Sequence, residues 1–155
     1  MAEVSRAATR GVDLATASTI IETALQVARR RNLRPMTIAV LDAGGDLVAF
    51  KREDGTGIRR YDIVVGKAYG ALVMNRSSRD IGKIADRAPA FIQSVMTATE
   101  GRVIPTPGGV LIKDQAGRIV GAVGSSGDDA DADEACAIEG IRAAGFISEP
   151  AEAVG

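Results

Sequence analysis

Apolar residues recur at helical spacing early in the chain, at Ile20, Ile21, Ala24, Leu25 and Ala28. This three- and four-residue rhythm predicts a first helix over about Ala15–Arg31. Asp13 or Thr16 can cap its start, and Arg29, Arg30 and Arg31 suit its negative end, beyond which Asn32 can take a left-handed stop. The rhythm then changes. Thr37-Ile-Ala-Val-Leu41 is a continuous apolar run, Asp42-Ala-Gly-Gly-Asp46 is turn chemistry, and Leu47-Val-Ala-Phe50 is apolar again. That succession predicts a β-hairpin.

A second helix is predicted over Arg60–Asn75, with Tyr61, Val64, Val65, Ala68 and Leu72 as its apolar face. Gly66 and Gly70 lie on one side of it. A glycine inside a helix costs about 1 kcal/mol against alanine, so something is expected to approach that side closely. The sheet, a neighbouring subunit and a flat ligand are the candidates. Ser77 or Ser78 can cap a third helix, Arg79–Ala85. Ala88–Ala98 reads as a fourth, with Pro89 in its first turn. After an irregular stretch, Gly109–Ile112, the turn Lys113–Gly117 and Arg118–Val123 form a second hairpin. Its likeness to the first reflects shared turn chemistry rather than a solenoid repeat. A last helix runs over Asp129–Ala144 and stops at Gly145.

The order is helix, hairpin, helices, hairpin, helix. Hairpins require antiparallel pairing, and the helices must cover at least one face of the sheet. A Rossmann fold would need strands and helices in alternation, which the pattern lacks. One domain over 14–147 is expected, between a flexible N-terminal arm, 1–13, and a flexible C-terminal tail, 148–155.

Composition narrows the function classes. At 155 residues, 46% hydrophobic and 25% charged, the chain can build a core without staples. A net charge of −1 and the absence of tryptophan argue against nucleic-acid binding by general electrostatics or base stacking. The residues up to Leu14 carry no apolar run of signal-peptide type, and no segment is long enough to span a bilayer, so no membrane association is expected. Cys136 is the only cysteine, which suits a reducing compartment and a cytoplasmic location. There is no histidine, so a Ser-His-Asp triad, a Cys-His pair and any His-ligated metal or haem are excluded.

Three segments carry candidate chemistry. In Ile104-Pro-Thr-Pro-Gly-Gly109, Pro105 and Pro107 fix the chain, Thr106 offers a hydroxyl, and Gly108 and Gly109 can present backbone N–H groups to a carboxylate or oxyanion. A rigid helix-to-strand connection explains the same residues. Arg60 and Lys67 are two helical turns apart and share a face with Tyr61 nearby. Arg60 would clamp an organic acid, and a buried Lys67 would serve as acid or base. A lysine paired with Asp42 or with a partner subunit explains the same spacing. Gly121, Gly124 and Gly127 precede a helix but lack the Lys-Ser/Thr of a P-loop, although Ser125 can line a pocket at the strand's end. Asp128, Asp129, Asp131, Asp133 and Glu134 begin like a calcium loop, but Glu134 and Gly140 fall where that loop needs glycine and glutamate, so no metal site is expected. Helix-dipole stabilisation accounts for the acidic run. Cys136 reads as a small buried residue.

Val40-Leu-Asp-Ala-Gly-Gly45, the Asp62–Ala68 segment, Ile104–Val110, Gly121–Gly127 and Asp133-Glu134 occur in an order that resembles the GlcG/HbpS family, which includes the C-terminal domain of PduO-type proteins. The resemblance covers roughly residues 14–145. It implies an α/β (α+β) fold, a profilin- or PAS-like sandwich with a five-stranded antiparallel sheet flanked by helices. It also implies a homo-oligomer, tetramer to octamer, and a role in small-molecule binding or catabolism. Some members bind haem. Asp46 stands where similar sequences often carry histidine, so a haem here would have to use Tyr, Met or Cys. The expected function is binding of a small organic acid or planar cofactor in a pocket between elements or subunits. The alternative is an enzyme using that pocket for proton transfer, isomerisation or hydrolysis, with Lys67 and Arg60 catalytic and Asp42, Tyr61, Pro105, Thr106, Pro107, Gly108, Gly109 and Ser125 binding the ligand.

Overall fold

A computed structural model describes residues 11–154. The elements are α1 (Leu14–Arg30), β1 (Thr37–Asp42), β2 (Leu47–Arg52), α2 (Arg60–Met74), α3 (Ser78–Arg87), α4 (Pro89–Ala98), β3 (Gly109–Lys113), β4 (Ile119–Ser126), α5 (Ala130–Ala143) and β5 (Ile147–Glu149). The strands form one antiparallel sheet in the order β2-β1-β4-β3-β5. This is the expected α+β class.

Each hairpin pairs internally, and β1 joins β4 from Thr37↔Ser126 to Asp42↔Gly121. The central strands are therefore covered on both faces, which is why β1 and β3 read as continuous apolar runs rather than as alternations. On one face Ile38, Val40, Val110, Ile112 and Val123 pack with Ile20, Ile21 and Val27 of α1 and Ile138 and Ile141 of α5. On the other face Leu41, Leu111 and Ala122 meet Ala68 and Ala71 of α2. Outside α2, α3 and α4 close a third cluster around Ile81, Ile92 and Val103.

The close approach that the helix glycines demanded comes from the chain itself. A Cβ at Gly124 would lie 1.8 Å from the Val64 carbonyl oxygen, so β4 can receive α2 only through a glycine there. On the outer side of α2, a Cβ at Gly66 would lie 2.5 Å from Ile104, whose N–H bonds the Gly66 carbonyl at 3.2 Å. The helix is clamped between the sheet and the Val103–Ile104 segment, and neither a ligand nor a neighbouring subunit is needed to explain its glycines.

Local chemistry sets the element ends. Asp13 accepts from Thr16 N and caps α1. Ser77, not Ser78, caps α3 by accepting from Asp80 N. Pro89 opens α4 at a position where its missing N–H has no cost.

The ordered fold extends past both expected boundaries. Residues 1–10 of the expected arm, and Gly155 of the expected tail, lie outside the described residues. Val12 is buried, and its N–H bonds Val120 O at 2.9 Å. Ser148 and Glu149 belong to β5, which pairs with β3. A three-residue strand carries too little periodicity to be read from a sequence. No described helix is long and apolar enough to cross a membrane.

Candidate functional site

The sequence-predicted residues fall into three places. Lys67 of α2 lies against Gly108, Gly109 and Ser125. Lys67 is 3% exposed. Its Nζ donates to Ser125 O at 2.9 Å and lies 3.5 Å from Asp133 Oδ2, so its partner is Asp133 of α5 rather than Asp42. A Cβ at Gly108 would lie 2.8 Å from Lys67 Nζ, and one at Gly109 would lie 2.3 Å from Lys67 O. The glycines thus let the loop close over the lysine. Gly109 N–H already donates to Ser78 Oγ at 2.7 Å, and Ser78 Oγ donates to Thr106 O at 2.5 Å. Ser125 N–H donates to Gly108 O at 2.9 Å. The Pro105–Gly109 segment is thereby pinned as a rigid connection, with the Thr106 side chain outward and Pro105 and Pro107 partly buried.

Burial dominates the electrostatics there. It pulls the Lys67 pKa down from its ordinary value, opposed by the Asp133 charge. It pushes Asp133 up, opposed first by the backbone N–H of Asp128 and then by Lys67. Burial also raises Glu134, opposed by Arg79, whose Nε lies 3.0 Å from Glu134 Oε1. The acidic run is accounted for one residue at a time. Asp128 accepts from Arg34 N at 2.7 Å, Asp131 and Glu134 take Arg79, and Asp133 takes Lys67. Cys136 lies in the core, and burial pushes its thiol up to about 11.

Arg60 is separate from the lysine's contacts, with its Nη1 donating to Ser126 Oγ at 2.8 Å. Asp42 is a turn residue. Its Oδ1 accepts from Gly44 N at 2.9 Å and Asp46 N at 3.1 Å, which holds the β1–β2 turn in shape.

Tyr61 alone of the predicted residues lines an open cleft of about 420 Å³. One wall is the first hairpin turn: Leu41, Gly45, Asp46 and Leu47. The floor is α2, through Tyr61, Asp62, Val65 and Tyr69. The far rim is Glu100, Gly101 and Arg102. Tyr61, Val65 and Tyr69 are successive four-residue steps along one helix face. The Tyr61 ring packs edge-on against Phe50 at 5.4 Å, which fixes its plane. The Arg102 guanidinium lies 4.4 Å from the Tyr69 ring centroid, a cation–π contact. Sequence reasoning missed Tyr69 and Arg102. The Glu100-Gly101 turn, with φ of 56° and 77°, brings Arg102 back over α2. Tyr69 carried a signal in its eight-residue distance from Tyr61; Arg102 carried none.

A family model described as "Haem degrading protein HbpS-like" matches residues 12–142. An uncharacterized 15.0 kDa protein from the dhaT-dhaS intergenic region of Citrobacter freundii is 27% identical over 99 residues, covering 64% of this chain and 68% of that one. Among solved structures the fold is similar to the PduOC:heme complex, with a TM-score of 0.79 and 18% identity over 90% of this chain and 99% of that one. It is similar to the Klebsiella pneumoniae protein ORFY, with a TM-score of 0.78 and 21% identity over 94% and 97%. It is similar to HbpS, with a TM-score of 0.73 and 23% identity over 90% and 93%. At these identities the structural likeness is one of fold.

Proposed function

The chain belongs to the HbpS-like family, and from that premise we propose that it binds a flat, carboxylate-bearing cofactor of the haem class in the cleft between the β1–β2 turn, α2 and Glu100–Arg102. The observation that carries this reading is the cleft's make-up. A volume of about 420 Å³ falls within the range of small-molecule sites. Leu41, Leu47, Val65 and two tyrosines supply apolar surface on two sides of the cleft, and Arg102 supplies a cation at its rim. A planar ring packs on such surface, and a guanidinium pairs with a carboxylate bidentately. Asp46, Asp62 and Glu100 also face the cleft, so a carboxylate is favoured only at the Arg102 end.

The donor set fits haem in one way. With no histidine, and with Cys136 and Met36 sealed in the core, the phenol oxygens of Tyr61 and Tyr69 are the axial candidates at the cleft. Tyrosine ligation of haem iron is an established mode. Tyr61, 46% exposed, is the freer of the two. Haem would supply a redox-active iron; the chain would supply the ring's wall, an oxygen ligand and the counter-charge for a propionate. Binding is favoured over the enzyme alternative because Lys67, the acid–base candidate, is buried and held by Ser125 O and Asp133.

The reading includes the assembly. Ile58, Leu47, Tyr61 and Val73 are exposed at 89%, 45%, 46% and 41%, and two of them, Leu47 and Tyr61, line the cleft. A homo-oligomer of four to eight copies would cover part of this surface, and light scattering on the purified protein reads its size. A cytoplasmic setting rests on the one buried free thiol.

Titration of the protein with haemin, followed in the Soret band, tests the binding reading. Saturation at one haem per chain is expected. Tyr61→Phe should move or abolish the band, and Arg102→Ala should weaken binding roughly tenfold, the loss of one charge-assisted hydrogen bond. Non-saturating uptake, or identical spectra and affinities in Tyr61→Phe, Tyr69→Phe and the parent, would refute it.

A further inference from the structure

On the other side of the α2 N-terminus the sheet presents a buried hydroxyl that no described residue satisfies. Thr37 is fully buried, and its Oγ1 has no hydrogen-bond partner among the described residues. Its position follows from the register. Val64 sits directly on Gly124, which pairs with Ala39. Thr37↔Ser126 is the next pair on the same face of the sheet. Arg60 precedes Val64 by one helical turn, so Thr37 and Ser126 lie beneath the first turn of α2. The contact of Arg60 Nη1 with Ser126 Oγ at 2.8 Å agrees with that placement. The 53–59 loop covers the corner. A Cβ on Gly57 would lie 3.5 Å from Arg60 Nε, and the adjacent Thr56 also holds a buried Oγ1 without a partner.

Each orphaned hydroxyl costs free energy in a dry interior, so the two orphans, Thr37 and Thr56, call for an acceptor, and Ser126 Oγ, which already accepts from Arg60, still has its own proton to donate. The surroundings fix its sign. Arg52 pairs with Thr37 across β1–β2 and shares its face. The N-terminus of the 15-residue α2 adds the positive end of a helix dipole without a side-chain cap. Of the carboxylates in the 53–59 loop and the first turn of α2, Asp62 pairs with Arg59 and Glu53 with Arg29 and Met36 N, while Asp54 is exposed. Hydroxyl donors contributed by two strands and a loop next to an arginine suit the several oxygens of a tetrahedral oxyanion.

We propose that Arg60, Thr37, Ser126 and Thr56 form an anion site for a phosphate group, separate from the cleft that carries Tyr61 and Arg102. Free phosphate and the end of a phosphate monoester share this chemistry.

Thermal unfolding of the full chain in rising inorganic phosphate, against sodium chloride at matched ionic strength, reads the site. A saturable rise in Tm specific to phosphate is expected, roughly 5–10 °C at a hundredfold excess over Kd. Thr37→Val keeps the shape and the strand preference, so it folds, and it should weaken phosphate roughly tenfold. Arg60→Gln should abolish the rise. Ethyl phosphate in a parallel series separates the sources: equal affinity assigns the site to a phosphorylated ligand, and exclusion assigns it to the free ion. A parent Tm that rises no more in phosphate than in chloride overturns the proposal, as does a Thr37→Val protein that responds as the parent does. Neither result bears on the haemin titration.

Discussion

Replacing Lys67 with methionine isolates the interior ion pair. Methionine keeps the length and apolar stem of the lysine and removes only the ammonium. Asp133, 2% exposed, would then hold a buried carboxylate with backbone N–H groups as its remaining donors, and Ser125 O would lose its lysine donor. Breaking a buried pair from one side costs about 3–5 kcal/mol, because the surviving charge is left uncompensated. Against a total stability of about 5–15 kcal/mol this is a large fraction. At about 2–4 °C per kcal/mol for a chain of this size, Tm should fall by roughly 6–20 °C. The loss should also depend on pH. Burial holds the folded pKa of Asp133 above its ordinary 3.8. Between 3.8 and that raised value the folded state binds the proton and the unfolded state does not. The Lys67 charge opposes this rise, so removing it lifts the folded pKa of Asp133 further; Lys67→Met therefore gains more stability than the parent as pH falls, and its deficit narrows. The double variant Lys67→Met/Asp133→Leu removes both charges and should recover most of the loss. Urea unfolding in steps from pH 8 down to pH 4 measures all three proteins. A Lys67→Met deficit below about 1 kcal/mol at pH 8, or one that nowhere narrows on the way down, would sink the structural account of the pair and return Lys67 to the acid–base role its sequence position suggested.

Gly124→Ala should destabilise by more than about 3 kcal/mol, since its methyl meets backbone rather than a movable side chain; a calorimetric loss under about 1 kcal/mol would mean that α2 slides easily on the sheet. The acid limb of stability should owe part of its slope to Asp114, whose backbone bond from Arg118 lowers its pKa below 3.8. The unfolded chain then takes up its proton first, so stability present above 3.8 is lost as pH falls toward the folded pKa. Asp114→Asn should flatten that limb in urea titrations between pH 4 and pH 2, and an unchanged slope would count against it.

The sequence by itself determined the elements and their pairing class. Period 3.6 over Ile20–Ala28 and two apolar runs flanking Gly-rich turns leave little choice about α1 or the hairpins. Gly66 and Gly70 announced a close neighbour, Asp13 and Ser77 announced helix starts, and Cys136 announced burial, because each signal is local and steric. The meeting of Gly108 with Ser125 was also legible, since the second hairpin pairs those strand ends, and a helix covering the sheet could carry Lys67 to them. Whether that neighbourhood was open or filled was not, because packing density depends on every element at once. The chain filled it with the Lys67 side chain and Asp133. It left the open space instead beside Tyr61, where a positive-φ turn at Glu100-Gly101 folds Arg102 over Tyr69. The joining of β1 to β4, the short strand β5 and the contact of Arg60 with Ser126 likewise came only with the tertiary fold. Residues far apart in a chain leave no periodic trace of one another, and only the sheet's register sets which of them meet.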